Sequence, residues 1–174
     1  MDFRFGSYVL ITGHWEQYYI EPDHLSSDRF WIKGEEAKHI QRVMRKKAGD
    51  WLRAVDGQGG LYEGPILNID EMSVEVAIER ESFRVHEPGL YLTLAQAMLK
   101  GNGFDWVVEK GTEIGISRFV PLITQRSVVT RGRQERWKKK ALAAMKQSTR
   151  SRCPEIADAQ SFDDFVSAPL EGEL

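Results

Sequence analysis

The chain has 174 residues, which suits one large domain or two small ones. Hydrophobic residues make up 41%, with five Trp and eight Phe, so a disordered tail is excluded, and no apolar run approaches the ~20 residues needed to span a bilayer. The formal net charge of −2 shows no overall bias toward a polyanion, and one cysteine, Cys153, excludes an internal disulfide framework or a Cys-rich zinc site.

The first half reads as β-rich. Strands are expected at residues 8–11, 17–20, 51–56, 61–67 and 73–78. The run Gly57-Gln58-Gly59-Gly60 predicts a hairpin between the third and fourth of these. Val74, Val76 and Ile78 alternate with Glu75 and Ala77, as in a half-buried strand. One helix is expected over residues 35–47. Its stripe would be Ala37, Ile40, Val43 and Met44, and Gly49 would end it. Arg42 and Arg45, three apart, would share one flank of that helix. The expected product is a small barrel with one helix and a basic edge.

The character changes near His86-Glu87-Pro88-Gly89, a break of the kind that separates domains. Residues 90–97 are dense in apolar side chains, like a strand buried on both faces. A loop at residues 100–103 leads to a helix marked by Phe104, Val107, Val108 and Gly111, with Gly115 placed to end it. Residues 119–124 predict another strand, and Pro121 argues for an irregular or edge position. A helix follows over residues 134–149, with the stripe Trp137, Ala141, Ala144, Met145 and Ser148. Residues 161–166 add a helical turn or two. Strand, helix, strand, helix predicts a parallel α/β sheet, visibly short of strands.

Charge is segregated along the chain. Residues 131–152 hold nine Lys/Arg against one acid, and residues 33–53 hold seven against three. Residues 153–174 hold six acids and no base. Clustered bases suit a polyanion, because phosphate contacts release condensed counterions. Such runs also mark solvated helix faces.

The short motifs are weaker. Neither glycine run has the spacing and context of a nucleotide-binding loop. The four His residues are dispersed, so no metal site is expected, and Cys153 has no base to activate it. Lys110 and Glu113 read as an ordinary helix-surface ion pair. Arg126 and Ser127 follow the C-terminal end of a buried strand, where open α/β sheets bind ligands. The stretch Gln147-Ser148-Thr149-Arg150-Ser151-Arg152 suits phosphate or RNA, although cations at a helix C-terminus are also favoured by its dipole.

Four phrases taken together carry a resemblance: HIQRVMRKKAGD at 39–50, VDGQGGLYEGPI at 55–66, the run from Leu94 to Val129 containing KGNG and EKGTEIG, and RWKKKALAAMKQSTRSRCPEI at 136–156. In this order and spacing the chain resembles the 16S ribosomal RNA uracil-N3-methyltransferase family, a branch of the knotted SPOUT methyltransferases. The match runs from about Tyr18 to Phe165. The resemblance implies an α+β chain: a PUA-like RNA-binding β-barrel at residues 17–85, then an incomplete α/β SPOUT-type methyltransferase domain at residues 90–174. Residues 1–16 would be an N-terminal extension.

The activity implied is S-adenosylmethionine-dependent methylation of N3 of one uridine in 16S RNA of the small subunit, by a cytoplasmic homodimer. Arg126 and Gln147 match family positions near the catalytic region. Arg42, Arg45, Lys47, Lys100, Lys110, Arg150 and Arg152 become the RNA-binding candidates. Two departures bear on this. Lys146 stands where the family more often has Glu. The Gly-Pro-Glu-Gly-Gly and Leu-Arg-x-Glu-Thr-Ala segments, which build the family's cofactor pocket, do not occur in the 174 residues. The expectation is therefore a chain without the knot, the cofactor site or the dimer interface. The alternative function is a non-catalytic RNA-binding protein or truncated form.

Overall fold

The computed structural model describes residues 16–127 and 133–168, so the strand expected at 8–11 lies outside the described residues. The first half forms a curled six-stranded sheet: β1 (Gln17–Tyr19), β2 (Arg29–Lys33), β3 (Trp51–Val55), β4 (Gly60–Asp70), β5 (Ser73–Ala77) and β6 (Arg80–Phe83), with α1 (Gly34–Arg42) packed on it. The order is β1-β3-β4-β5-β2, with β6 beside β4. β1 runs parallel to β3 and the other pairs are antiparallel.

The curl originates in β4. Its first residues pair with β3 and β6, and its last with β5 across a register break between Ile66 and Asn68. A bulge there bends the strand and raises its twist. Gly64 is required at this crossing, because a Cβ would lie 1.9 Å from the Ala77 carbonyl oxygen. The concave side holds Phe30, Ile32, Leu52, Ile66, Val74 and Val76 with Ala37 and Ile40 of α1, none more than 2% exposed. The hairpin expected at Gly57–Gly60 is present, with Val55 opposite Leu61. Asp56 Oδ1 accepts from the N–H groups of Gln58 and Gly60, which shapes the turn.

Two parts of this half differ from the sequence reading. β2 and β6 are strands that it lacked. The helix expected to reach residue 47 ends at Arg42. Val43 and Met44, read as part of its buried stripe, are exposed because no core faces them. Arg45 takes the left-handed conformation (φ 52°), and the Lys46 N–H donates to the Ile40 carbonyl at 3.2 Å. The chain has therefore left the helix before Arg45, which shares no helical flank with Arg42.

The second half comprises β7 (Thr93–Ala97), α2 (Gly103–Ile114), β8 (Arg118–Ile123), α3 (Gln134–Gln147), β9 (Glu155–Ile156), β10 (Gln160–Ser161) and α4 (Phe162–Ser167). All strand pairs are parallel, as the strand–helix alternation predicts. Gly115 ends α2 in the left-handed region at φ 106°. α2 and α3 pack through Phe104 and Trp137, whose ring centroids are 4.4 Å apart.

β8 is the central strand, so Pro121 is not at an edge. Its neighbour is interrupted instead. The Phe119 carbonyl accepts from Ala157 and the Leu122 carbonyl from Met98, so Pro121 faces the side where β9 has ended and β10 has not begun. The missing N–H costs no ladder bond there. β7, expected to be buried on both faces, pairs among the described residues only with β8 and has no fully buried residue. None of the described helices is long and apolar enough to cross a membrane.

Candidate nucleic-acid interface

Parallel strands bring their C-terminal ends to one edge, where open α/β sheets take their ligands. That edge holds Lys100, after β7, and Arg126, after β8, both exposed. The turn between Thr124 and Ser127 closes on itself: Ser127 N–H donates to the Thr124 carbonyl and Thr124 N–H to Ser127 Oγ, each at 2.9 Å. Ser127 is thereby a turn former. Arg126 makes no ion pair among the described residues.

The neighbouring polar groups are also occupied. The buried Asp105 accepts from Arg136 Nε at 2.6 Å and from the Trp137 indole at 3.0 Å, and Asn102 Oδ1 accepts from Arg136 at 3.0 Å. Among the buried side-chain polar atoms that the described residues place at this edge, Gln134 Oε1 has no hydrogen-bond partner. Two cavities lined by described residues lie at the opposite end of the sheet.

α3 connects the two ends. Gln134, at its start, donates to the Ala157 carbonyl between β9 and β10. Its 14 residues span about 21 Å at 1.5 Å per residue. Gln147 therefore sits far from Arg126, and the structure does not bring these two candidates together. Gln147 instead lines a groove of about 920 Å³ between α3 and the curled sheet, with Tyr18, His39, Met44, Arg53 and Lys146.

The groove's carboxylates are internally matched. Glu36 holds the Lys146 ammonium and accepts from the Tyr19 N–H at 3.1 Å. Glu16 accepts from the Tyr18 hydroxyl at 2.9 Å and lies 3.1 Å from His39 Nε2. Burial, reinforced by Glu16, pushes the Tyr18 phenol well above its ordinary range. Met44 joins the groove to the end of α1, which carries Arg42, and to the loop after it, which carries Arg45 and Lys47, all three exposed. Asp50 accepts from the Lys47 N–H at 2.8 Å and fixes the loop. The basic rim beside a groove whose carboxylates accept hydrogen bonds suits a nucleic-acid backbone on the outside and a base within.

Arg150 has a different place from the one its sequence suggests. Its side chain is 3% exposed. It donates through Nε and Nη2 to Glu87 and through Nη1 to the carbonyls of Thr112 and Ile116. Glu87 also accepts the N–H groups of Ser151 and Arg152 at 2.9 and 2.8 Å, and Gln17 donates to the Arg150 carbonyl at 2.7 Å. This joint locks the curled sheet to the parallel one and leaves Arg150 no donor for RNA. Lys110 is likewise engaged, 2.8 Å from Glu113 and 3.3 Å from Glu109. Arg152, two residues on from Arg150, is exposed. Glu87 was missed because its surroundings read as a domain break; a lone acid opposite a dense basic run was the available signal.

The comparisons with known proteins follow this geometry. Residues 86–174 match the RNA methyltransferase domain model, and residues 32–79 match the RNA methyltransferase PUA domain model. The ribosomal RNA small subunit methyltransferase E of Bacillus subtilis is 30% identical over 79% of this chain and 56% of its own length. The Synechocystis protein of the same name is 29% identical over 84% and 48%. The chain thus spans about half the length of these curated relatives. A probable rRNA-methyltransferase from Porphyromonas gingivalis superposes with a TM-score of 0.78 at 32% identity, over 88% of this chain and 64% of its own. The Neisseria gonorrhoeae ribosomal RNA small subunit methyltransferase E bound to S-adenosyl methionine shares the fold at TM-score 0.77 and 23% identity, over 90% and 66%. The curled sheet is accordingly PUA-like and the parallel sheet of the SPOUT type. The chain belongs to the RNA methyltransferase family.

Proposed function

We propose that this chain acts in S-adenosylmethionine-dependent methylation of 16S ribosomal RNA, at N3 of one unpaired uridine, in the cytoplasm. Residues 17–85 would grip the RNA and residues 90–174 would form the methyltransferase unit. The observation that carries the reading is the set of exposed cations on the groove rim and at the C-terminal edge, in a chain whose net charge is −2. Attraction is concentrated where RNA would lie rather than spread over the molecule.

Uracil N3 must lose its proton before it can act as a nucleophile, and in a duplex it is engaged in pairing, so the substrate base is splayed out. Arg126 sits where its charge would favour the uracil anion. Gln147, in the groove, would contact RNA away from the reacting base. S-adenosylmethionine supplies the methyl group when bound. The described residues at the C-terminal edge do not fit it by themselves, because their buried hydrogen-bonding side chains other than Gln134 Oε1 are already paired. What these residues contribute is binding and orientation. That same observation favours the second reading, a non-catalytic RNA-binding protein. A homodimer, as in the family, is the proposed assembly.

Two titrations of the purified chain decide between these readings. Anisotropy with a labelled 16S fragment should show affinity that falls steeply with salt, and calorimetry would report donor binding. RNA affinity with donor binding supports the enzyme; RNA affinity without it supports the binding protein; neither would end both readings.

A further inference from the structure

We propose that Phe83, Arg84 and Arg152 form a subsite for one unpaired nucleotide of RNA, apart from both the groove and the C-terminal edge. The proposal rests on the RNA-binding reading above. Phe83 ends β6 and is 71% exposed, an unusual position for a phenylalanine. Its ring edge packs on Gly59: a Cβ built there would be 3.0 Å from Phe83 Cε2, 3.1 Å from its Cζ and 3.6 Å from Arg152 Cγ. Gly59 has φ +120°, so a side chain is excluded by conformation as well as by space. The ring is thus held at one edge by Gly59 while most of it is open to solvent.

The backbones that carry the neighbouring cations are held in place. Arg84 adopts the left-handed conformation at φ 56°, and its N–H donates to the Gly59 carbonyl at 2.8 Å. The Arg152 N–H is fixed by Glu87 at 2.8 Å, and its backbone bridges to Gly57 and Gln58. Both guanidinium-bearing residues are exposed, and both line a small cavity of about 110 Å³ with Tyr91. Of the two carboxylates in its wall, Glu87 is bound to Arg150, and the exposed Glu155 lies 3.4 Å from Arg118. Among the described residues no acid pairs with Arg84 or Arg152. Two uncompensated cations next to an open aromatic face are complementary to a phosphate with its base. Stacking needs no particular base, and the phosphate supplies the charge.

The test measures binding of the purified chain to a fluorescent single-stranded oligouridylate over a range of salt. Phe83→Leu should weaken binding about tenfold without changing the salt slope, because stacking releases no counterions. Phe83→Trp should retain affinity, with its added emission quenched by the RNA. Arg84→Gln and Arg152→Gln should each lower the slope by about one. Arg45→Gln serves as the reference for the groove rim. If Arg45→Gln weakens binding and Phe83→Leu does not, the subsite is wrong while the RNA reading stands. If the unmodified chain binds no RNA, both are wrong. If Phe83→Leu changes sedimentation instead of RNA affinity, the ring is a protein contact and the proposal is overturned.

Discussion

The two sheets bury their apolar residues to different degrees. In the curled sheet, β2 and β5 bring Phe30, Ile32, Val74 and Val76 to 1% exposure or less. Among the described residues of the parallel sheet, β8 is comparably buried, while β7 has no fully buried residue and Leu90, Tyr91 and Leu92 ahead of it are exposed. The first half therefore has a core that α1 and its own strands complete. The second depends on what it leans against: Met145 of α3 packs with Val55 and Leu61 of the curled sheet, and the Glu87–Arg150 joint fastens the same contact. The curled sheet is held by its own closed core, and the parallel sheet is positioned against it by a few specific bonds.

The strongest way to break that comparison is to remove the joint. Glu87→Ala leaves a buried guanidinium without its carboxylate, which should cost about 3–5 kcal/mol. Urea unfolding followed by far-UV circular dichroism and by tryptophan emission should then separate into two transitions. A single transition shifted by less than 1 kcal/mol would mean that apolar packing alone couples the sheets. Truncation within each core comes next. Ile32→Ala should cost about 2–5 kcal/mol, and Leu94→Ala, half-buried on β7, roughly half as much. Equal losses would mean that β7 is as well packed as β2.

The legible and illegible features divide on similar lines. The Gly57–Gly60 hairpin, the alternation of β5 and the helix–strand order of the second half follow from local chemistry. β6 does not: Arg80-Glu81-Ser82-Phe83 has no apolar alternation and is a strand because β4 offers it a ladder. The early end of α1 is equally non-local, since Val43 and Met44 have helical spacing but nothing to face. At the candidate site the basic clusters were visible, but not which cations are free. Arg150 and Arg152 are two residues apart, one buried on an acid 63 positions away and the other open to solvent. No local pattern distinguishes them.

Smaller effects sharpen the comparison within the second half. Trp137→Phe keeps the ring against Phe104 but removes a donor from buried Asp105, leaving Arg136 alone on it. The loss should be about 1–3 kcal/mol, read from the urea midpoint. A loss below 0.5 kcal/mol, within the usual range for an innocuous change, would place the strength of that contact in the Arg136 pair.

The smallest effect concerns Cys153, which packs against both clusters where the sheets meet. Burial pushes its thiol from the ordinary 9.0 up to about 11, with Arg150 pulling weakly the other way. The folded state holds this proton more firmly than the unfolded chain does. Its contribution to stability is therefore complete below about pH 9 and is lost as pH rises toward 11. Tyr62, raised to about 12 by burial and then Asp56, adds a loss of the same sign at higher pH. Cys153→Ala should leave the Tyr62 contribution and flatten the fall in urea midpoint between pH 9 and 11. If the variant keeps the original slope, the thiol is hydrated in the folded state, and the seam between the two sheets is wetter than its packing suggests.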